Sequence, residues 1–211
     1  MIVLDHRPER LKRLDALVTC MIHNVAADAG GFTSNVFLVT GDRQVLVDVG
    51  NDFDVVARVR EHVEDLDAVV LTHTHPDHVG NLDAVTEAFD APVVGYDPDA
   101  SGVEQAIDDG DTVDMGDHTY TALHTPGHKD DHVCLYAAGS GILFAGDLVF
   151  ENGGFGRTDL EEGDRSLLVE SIRRVLDTVD ADLAVMHTGH GRSIQTDPYR
   201  NIELAAQAAR F

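Results

Sequence analysis

The sequence predicts an α/β protein of the α+β kind: a four-layer αββα sandwich in which two sheets stack face to face beneath outer helices. Three observations predict it. The first half alternates strand-like and helix-like segments. The second half is rich in strands before it closes on two helices. The length of 211 residues, with 43% hydrophobic content, suits one sizeable core.

Residues 32–49 (FTSNVFLVTGDRQVLVDV) read as two β-rich runs joined by a turn at 40–43, which predicts a hairpin. DFDVVARVREHV spaces apolar residues at helical intervals, and LDAVVLT (66–72) is a short apolar run that suits a buried strand. Both precede HTHPDHVG. NLDAVTEAF then continues as helix, APVVGY as strand, and DPDASGVEQAI as helix or loop. Segments near 111–114 and 119–123, then HVCLYAA and GILFAG, read as strands bounded by turn residues. The long helix DRSLLVESIRRVLDTV leads to a strand at 182–187 and a final helix at 198–209. No repeat or low-complexity linker divides the chain, so residues 21–211 are expected to form a single domain. Residues 1–20, a basic helical segment ahead of Met21, fit the scheme poorly and read as an added helix or an artefact of start-codon choice.

Charge narrows the partners. With 38 acidic against 15 basic residues the formal net charge is −23, and the lysines are Lys12 and Lys129. Such a surface repels nucleic-acid phosphate and anionic membrane, so neither is an expected partner. The acids are spread through sequence of normal apolar content, which argues against disorder and fits a salt-loving source whose ions screen the repulsion. No stretch approaches the roughly 18 apolar residues of a membrane span, and the opening residues lack the apolar core of a secretory signal, so a cytoplasmic location is expected. Cys20 and Cys134 are too few for a disulfide framework, and Cys134 in HVCLYA reads as a buried structural thiol.

The chemistry concentrates where LDAVVL ends. Polar residues at the end of a buried strand are where a scaffold usually exposes reactive groups. His73, His75, Asp77 and His78 lie within six positions, and imidazole with carboxylate is the donor set suited to zinc, iron or manganese. In extended chain His73 and His75 project to one side and can share an ion, while Asp77 and His78, around the turn, are offset toward a second. The plain alternative is a polar loop that caps the following helix through Asp77.

HTHPDH resembles the His-x-His-x-Asp-His signature of the metallo-β-lactamase superfamily, and the later motifs TPGH, LFAGD and TGHG supply His128, Asp147 and His190 in that family's order. The resemblance covers the chain from about Phe32 to its end and implies the metallo-β-lactamase fold. It also implies two divalent metal ions, zinc first with iron or manganese as alternatives. His73, His75 and His128 would hold one, Asp77, His78 and His190 the other, and Asp147 would bridge them. Two such ions acidify a shared water that attacks a carbonyl, and Asp77 is the implied catalytic residue that orients this nucleophile and carries its proton.

The chain is similar to the short glyoxalase II-like branch, which implies cleavage of a small thioester or ester. His132 stands where such members carry a second histidine, which suggests a supporting or substrate-side role, with simple packing as the equal alternative. Lys129-Asp130-Asp131 departs from the small or hydroxylated run of those relatives. Arg157 and Asp159, in a Gly-Arg-Thr-Asp loop also like that of persulfide dioxygenases, read as a structural ion pair beneath the metals, with substrate contact by Arg157 as the minor alternative. Glutathione-specific members add a C-terminal helical extension, whereas this sequence ends soon after His190, so a different thiol or none is compatible with the motifs. Two other activities share the pattern: a persulfide dioxygenase with one iron on His73, His128 and Asp147, and a lactone hydrolase. His6, His23, His62, His118, His124 and His187 match no ligand position and read as surface or packing residues.

Overall fold

Side chains along a strand point alternately to opposite faces, and this alternation builds the layers. In β2 (Phe37–Thr40) and β3 (Val45–Val47), Leu38 and Leu46 turn one way, while Phe37, Val39, Val45 and Val47 turn the other. Leu38 and Leu46 pack with Val55, Val59, Val85 and Phe89 of the helices α1 (Val55–Arg60) and α3 (Leu82–Phe89). The opposite face meets Tyr120, Ala122, Leu135 and Phe144 of a second sheet. That sheet repeats the division: Leu135 and Ala137 of β9 (Val133–Ala137) face inward, whereas Cys134 and Tyr136 meet Leu168, Ile172 and Val175 of α4 (Arg165–Thr178). Two helical layers therefore enclose two sheets, as the sequence predicts, and each fully buried Val or Leu contributes roughly 1.5–3 kcal/mol.

The computed structural model describes residues 21–211; the expectations placed on residues 1–20, including His6, Lys12 and Cys20, lie outside the described residues. The first sheet has six strands in chain order: β1 (Met21–Asn24), β2, β3, β4 (Ala68–Val70), β5 (Val93–Gly95) and β6 (Gln105–Ala106). Its β1–β2–β3 portion is antiparallel and the rest is parallel. The second sheet has the order β11-β10-β9-β8-β7, from β7 (Thr112–Met115) and β8 (His118–His124) through β9 and β10 (Ile142–Phe144) to β11 (Val185–His187), and β10 and β11 run parallel.

Local chemistry sets the boundaries. The Asp54 carboxylate caps α1 by accepting from the Ala57 N–H at 3.0 Å, and Asp164 caps α4 by accepting from Ser166 and Leu167. The last helix, α5 (Pro198–Ala208), begins with the proline that suits a first turn. The predicted hairpin forms between β2 and β3. DPDASGVEQAI holds no helix: Asp97 accepts from the Asp99 N–H, Gly102 adopts φ +88°, and the chain emerges as the edge strand β6. Among the described residues no helix is long and apolar enough to cross a membrane.

Candidate metal centre

The site forms where strands run out. β4 continues through Leu71 and Thr72 into His73 and His75, after which α2 (Pro76–Val79) carries Asp77 and His78. The turn between β8 and β9 carries His128. In the parallel pair, Phe144 lies opposite His187, so Asp147 and His190, each three residues further on, leave the sheet side by side. The Val133 N–H donates to the Thr72 carbonyl at 2.8 Å and joins the two sheets at this point. All seven residues singled out by the sequence meet at one end of the sandwich.

They meet as three overlapping groups whose donor atoms lie within 4.8 Å of one another: His73, His75 and His128; His73, His78 and Asp147; Asp77, His78 and His190. His75 Nδ1 lies 3.1 Å from His73 Nε2 and 2.9 Å from His128 Nε2. Nitrogens about 2.0–2.1 Å from one tetrahedral zinc stand about 3.3 Å apart, close to this spacing. His190 Nε2 lies 3.0 Å from Asp77 Oδ2 and 3.4 Å from Asp147 Oδ2. Between the groups sits the Asp147 carboxylate, with Oδ1 3.5 Å from His78 Nε2 and Oδ2 3.5 Å from His128 Nε2.

Two observations fit this cluster to cations. His78 Nε2 and Asp147 Oδ1 are buried and have no hydrogen-bond partner among the described residues, a costly arrangement unless something else satisfies them. Gly189 leaves the space they face: a Cβ there would overlap Asp147 Oδ1 and stand 2.9 Å from His78 Cε1. Burial, reinforced by His128 and His78, lowers His75 to about 4, which keeps it in the neutral form a metal requires. Burial also opposes charge on His78, but Asp48 and Asp147 beside it prevail and raise it to about 10, so a cation held there has to displace its proton. For Asp147, His190 and His78 outweigh burial and hold the carboxyl well below the usual range.

The far sides of the His73, His78 and His128 rings are braced, and that fixes which of their nitrogens faces inward. His128 Nδ1–H donates to the Arg157 carbonyl at 2.9 Å, which leaves Nε2 as the free lone pair. His78 Nδ1 meets Asp48 Oδ2 at 2.8 Å. Asp48 also accepts from the Thr72 N–H and hydroxyl, each at 2.8 Å, while Thr72 Oγ1 lies 3.1 Å from His73 Nδ1. Asn35 pins the His190 loop by donating from its side chain to the Thr188 and Gly191 carbonyls.

His132 occupies a supporting position. Buried and lowered to about 3 by burial and His128, it accepts the Asp147 N–H at Nε2 over 3.0 Å and meets Thr125 Oγ1 at 2.8 Å through Nδ1. It therefore orients the Asp147 backbone as a neutral ring.

Helix capping by Asp77 is not what is found. The cap position of α2 is His75, without a side-chain cap bond, and Asp77 turns into the cluster. Arg157 and Asp159 do pair, through two 2.7 Å bonds, but their side chains are 60% and 69% exposed, so the pair stands in solvent rather than beneath the cluster. What ties this loop to the site is the Arg157 carbonyl. Lys129 turns inward to Glu162 at 2.8 Å, Asp130 at 3.1 Å and Asp131 at 3.5 Å, and Asp131 in turn accepts from the Thr74 hydroxyl between the first two histidines. His23 stacks on His62, His124 stacks on Tyr96, and His187 is buried against Phe37 and Phe144.

Sequence reasoning missed Asp48. Its signal was an acid inside the apolar run VLVDVG, where an unpaired carboxylate would be costly.

The family model of the metallo-β-lactamase superfamily matches residues 29–190. The hydroxyacylglutathione hydrolase of Klebsiella pneumoniae subsp. pneumoniae is 36% identical over 136 residues, covering 63% of this chain and 52% of its own length. The chain thus spans about half of that curated relative. The solved structure of TTHA1623 in a di-iron-bound form matches with a TM-score of 0.68 and 27% identity, covering 90% of this chain and 97% of that one. ETHE1 from Myxococcus xanthus matches with a TM-score of 0.65 and 30% identity, covering 76% and 72%.

Proposed function

Because the chain belongs to the metallo-β-lactamase superfamily, we propose that it is a metal-dependent hydrolase that cleaves a small thioester or ester. The observation that carries this reading is the convergence of seven imidazole and carboxylate side chains in three overlapping groups. In this reading His73, His75 and His128 hold one divalent ion, Asp77, His78 and His190 hold the other, and Asp147 serves both. Zinc suits the donors best, and iron or manganese is compatible. When bound, the ions supply Lewis acidity and lower the pKa of water toward about 7.

The protein's own groups do the rest. Asp77 lines the pocket that opens onto the cluster, and in this reading it orients the attacking water and accepts its proton. The water oxygen bonds to the acyl carbon, the carbon–sulfur or carbon–oxygen bond breaks, and the departing thiol or alcohol takes the proton while the acid is released. Asp48, Thr72, His132 and the Arg157 carbonyl keep the rings and Asp147 aimed, so little reorganisation accompanies reaction. Support also comes from the hydroxyacylglutathione hydrolase relative and from the two irons named for TTHA1623.

The test is thioester cleavage by purified protein. The reading expects turnover that stops on chelation and returns with zinc, iron or manganese. Protein that carries metal yet cleaves no thioester, ester or lactone would refute it. A second reading, a one-iron persulfide dioxygenase using His73, His128 and Asp147, is compatible with the ETHE1 likeness, and oxygen uptake on a persulfide would select it. A lactone hydrolase would differ in that its leaving group stays tethered.

A further inference from the structure

Beside the cluster lies a cavity of about 690 Å³ whose floor includes His75, Asp77, His128, Asp147 and His190. Its upper wall is apolar: Phe32, Phe150, Phe155 and Leu160. Phe32 is 69% and Leu160 40% exposed, which makes them two of the few large apolar side chains left facing solvent among the described residues. Neither position is incidental. Phe32 precedes a segment pinned to the site, where the Ser34 N–H donates to the Asp77 carbonyl and the Asn35 N–H to the Gly189 carbonyl. The Gly163 N–H closes a turn on the Leu160 carbonyl. Phe150 stands 6.4 Å from the His190 ring, and Phe155 is held by the Arg165 guanidinium 4.1 Å over its face. The wall thus continues directly from the reacting groups to the rim.

Charge decides what such a wall accepts. Among the described lining residues Arg157 is the one Lys or Arg, and Asp159 already engages its guanidinium through two bonds. Lys129 is committed to Glu162, Asp130 and Asp131. A thiol carrier with several carboxylates would meet no free cationic side chain along the wall. An alkyl or aryl group would cover Phe32 and Leu160 and gain free energy in proportion to the area removed from water.

Resting on the hydrolase reading, we propose that the preferred substrate is an uncharged thioester or ester with an apolar acyl chain, and that Phe32, Phe150, Phe155 and Leu160 set its preferred length. The acyl chain is the group bonded to the attacked carbon, so it lies where the floor passes into the wall.

Two measurements test this. For the acetyl, butyryl and hexanoyl thioesters of N-acetylcysteamine, kcat/KM should rise roughly 2–4-fold per methylene. Hexanoyl-glutathione should be the poorer substrate by at least about 10-fold. In Phe32→Ala/Leu160→Ala the hexanoyl-to-acetyl ratio should fall at least about 3-fold, which a general folding defect would not produce. Separately, the metal-free protein should bind the uncharged fluorophore N-phenyl-1-naphthylamine, and the double variant should bind it at least about 5-fold more weakly. A flat chain-length series, or preference for the glutathione thioester, would overturn the proposal. Equal fluorophore binding by the two proteins would do the same. Fluorophore binding lost in the variant, with no cleavage of any thioester, ester or lactone by the metal-loaded protein, would uphold the apolar wall and refute the hydrolase reading instead.

Discussion

The floor and the rim of the same pocket are built on opposite plans. At and just beneath the floor, His128, His73 and His78 are buried, and each uses its second ring nitrogen on a neighbouring side chain or carbonyl, so the inward atoms are set before any ligand arrives. At the rim, Phe32 and Leu160 stand in solvent, and the Arg157–Asp159 pair is exposed on both members. Under the proposed function the contrast teaches that groups for bond chemistry would be held by buried polar contacts, which give direction, whereas groups that select a substrate would rely on apolar area, which tolerates looser placement. Errors on the floor should therefore cost rate and metal affinity, and changes at the rim should alter preference among substrates.

The largest expected effect breaks the floor. Asp147→Ala removes the carboxylate lying between the donor groups and should lower kcat/KM by on the order of 10²–10³-fold with the circular dichroism spectrum preserved. A loss under 10-fold would mean that Asp147 is not shared. Leu135→Ala sharpens the contrast from outside the site: a cavity between the sheets should cost about 2–5 kcal/mol in urea unfolding, and an unaltered midpoint would contradict the observed layering. Asp48→Ala reaches the floor from behind, releasing His78 and Thr72, and should weaken metal binding about 10–100-fold by competition with a chelator. Unchanged affinity would show the brace to be dispensable. The smallest effect lies at the rim. Arg157→Ala should shift Tm by less than about 2 °C, because an exposed pair contributes little, and a larger fall would give that pair a structural role.

Much of this contrast was legible in the sequence, unevenly. His73, His75, Asp77 and His78 are neighbours along the chain, so their proximity needs only a strand end and a turn. Bringing Asp147 and His190 to them depends on the register that sets Phe144 opposite His187, a tertiary fact that the family resemblance supplied and periodicity alone could not. Asp48 went unread because a turn acid and a buried brace look alike in one dimension, although its φ of 58° marks a special position. β1 and β6 were missed for a related reason: their residues are partly or fully exposed, so no apolar alternation announces them, and pairing with a neighbour defines them. The Arg157–Asp159 pair was foreseen in partner but not in place, since sequence spacing reports who can meet and not how deep.

The account rests on the floor holding two cations, and counting them tests it most directly. Protein purified without chelator and reloaded with zinc should carry two ions per chain by mass spectrometry of the metal, falling toward one in His190→Ala. A wild-type chain that takes up one ion at saturation, or none, would contradict it.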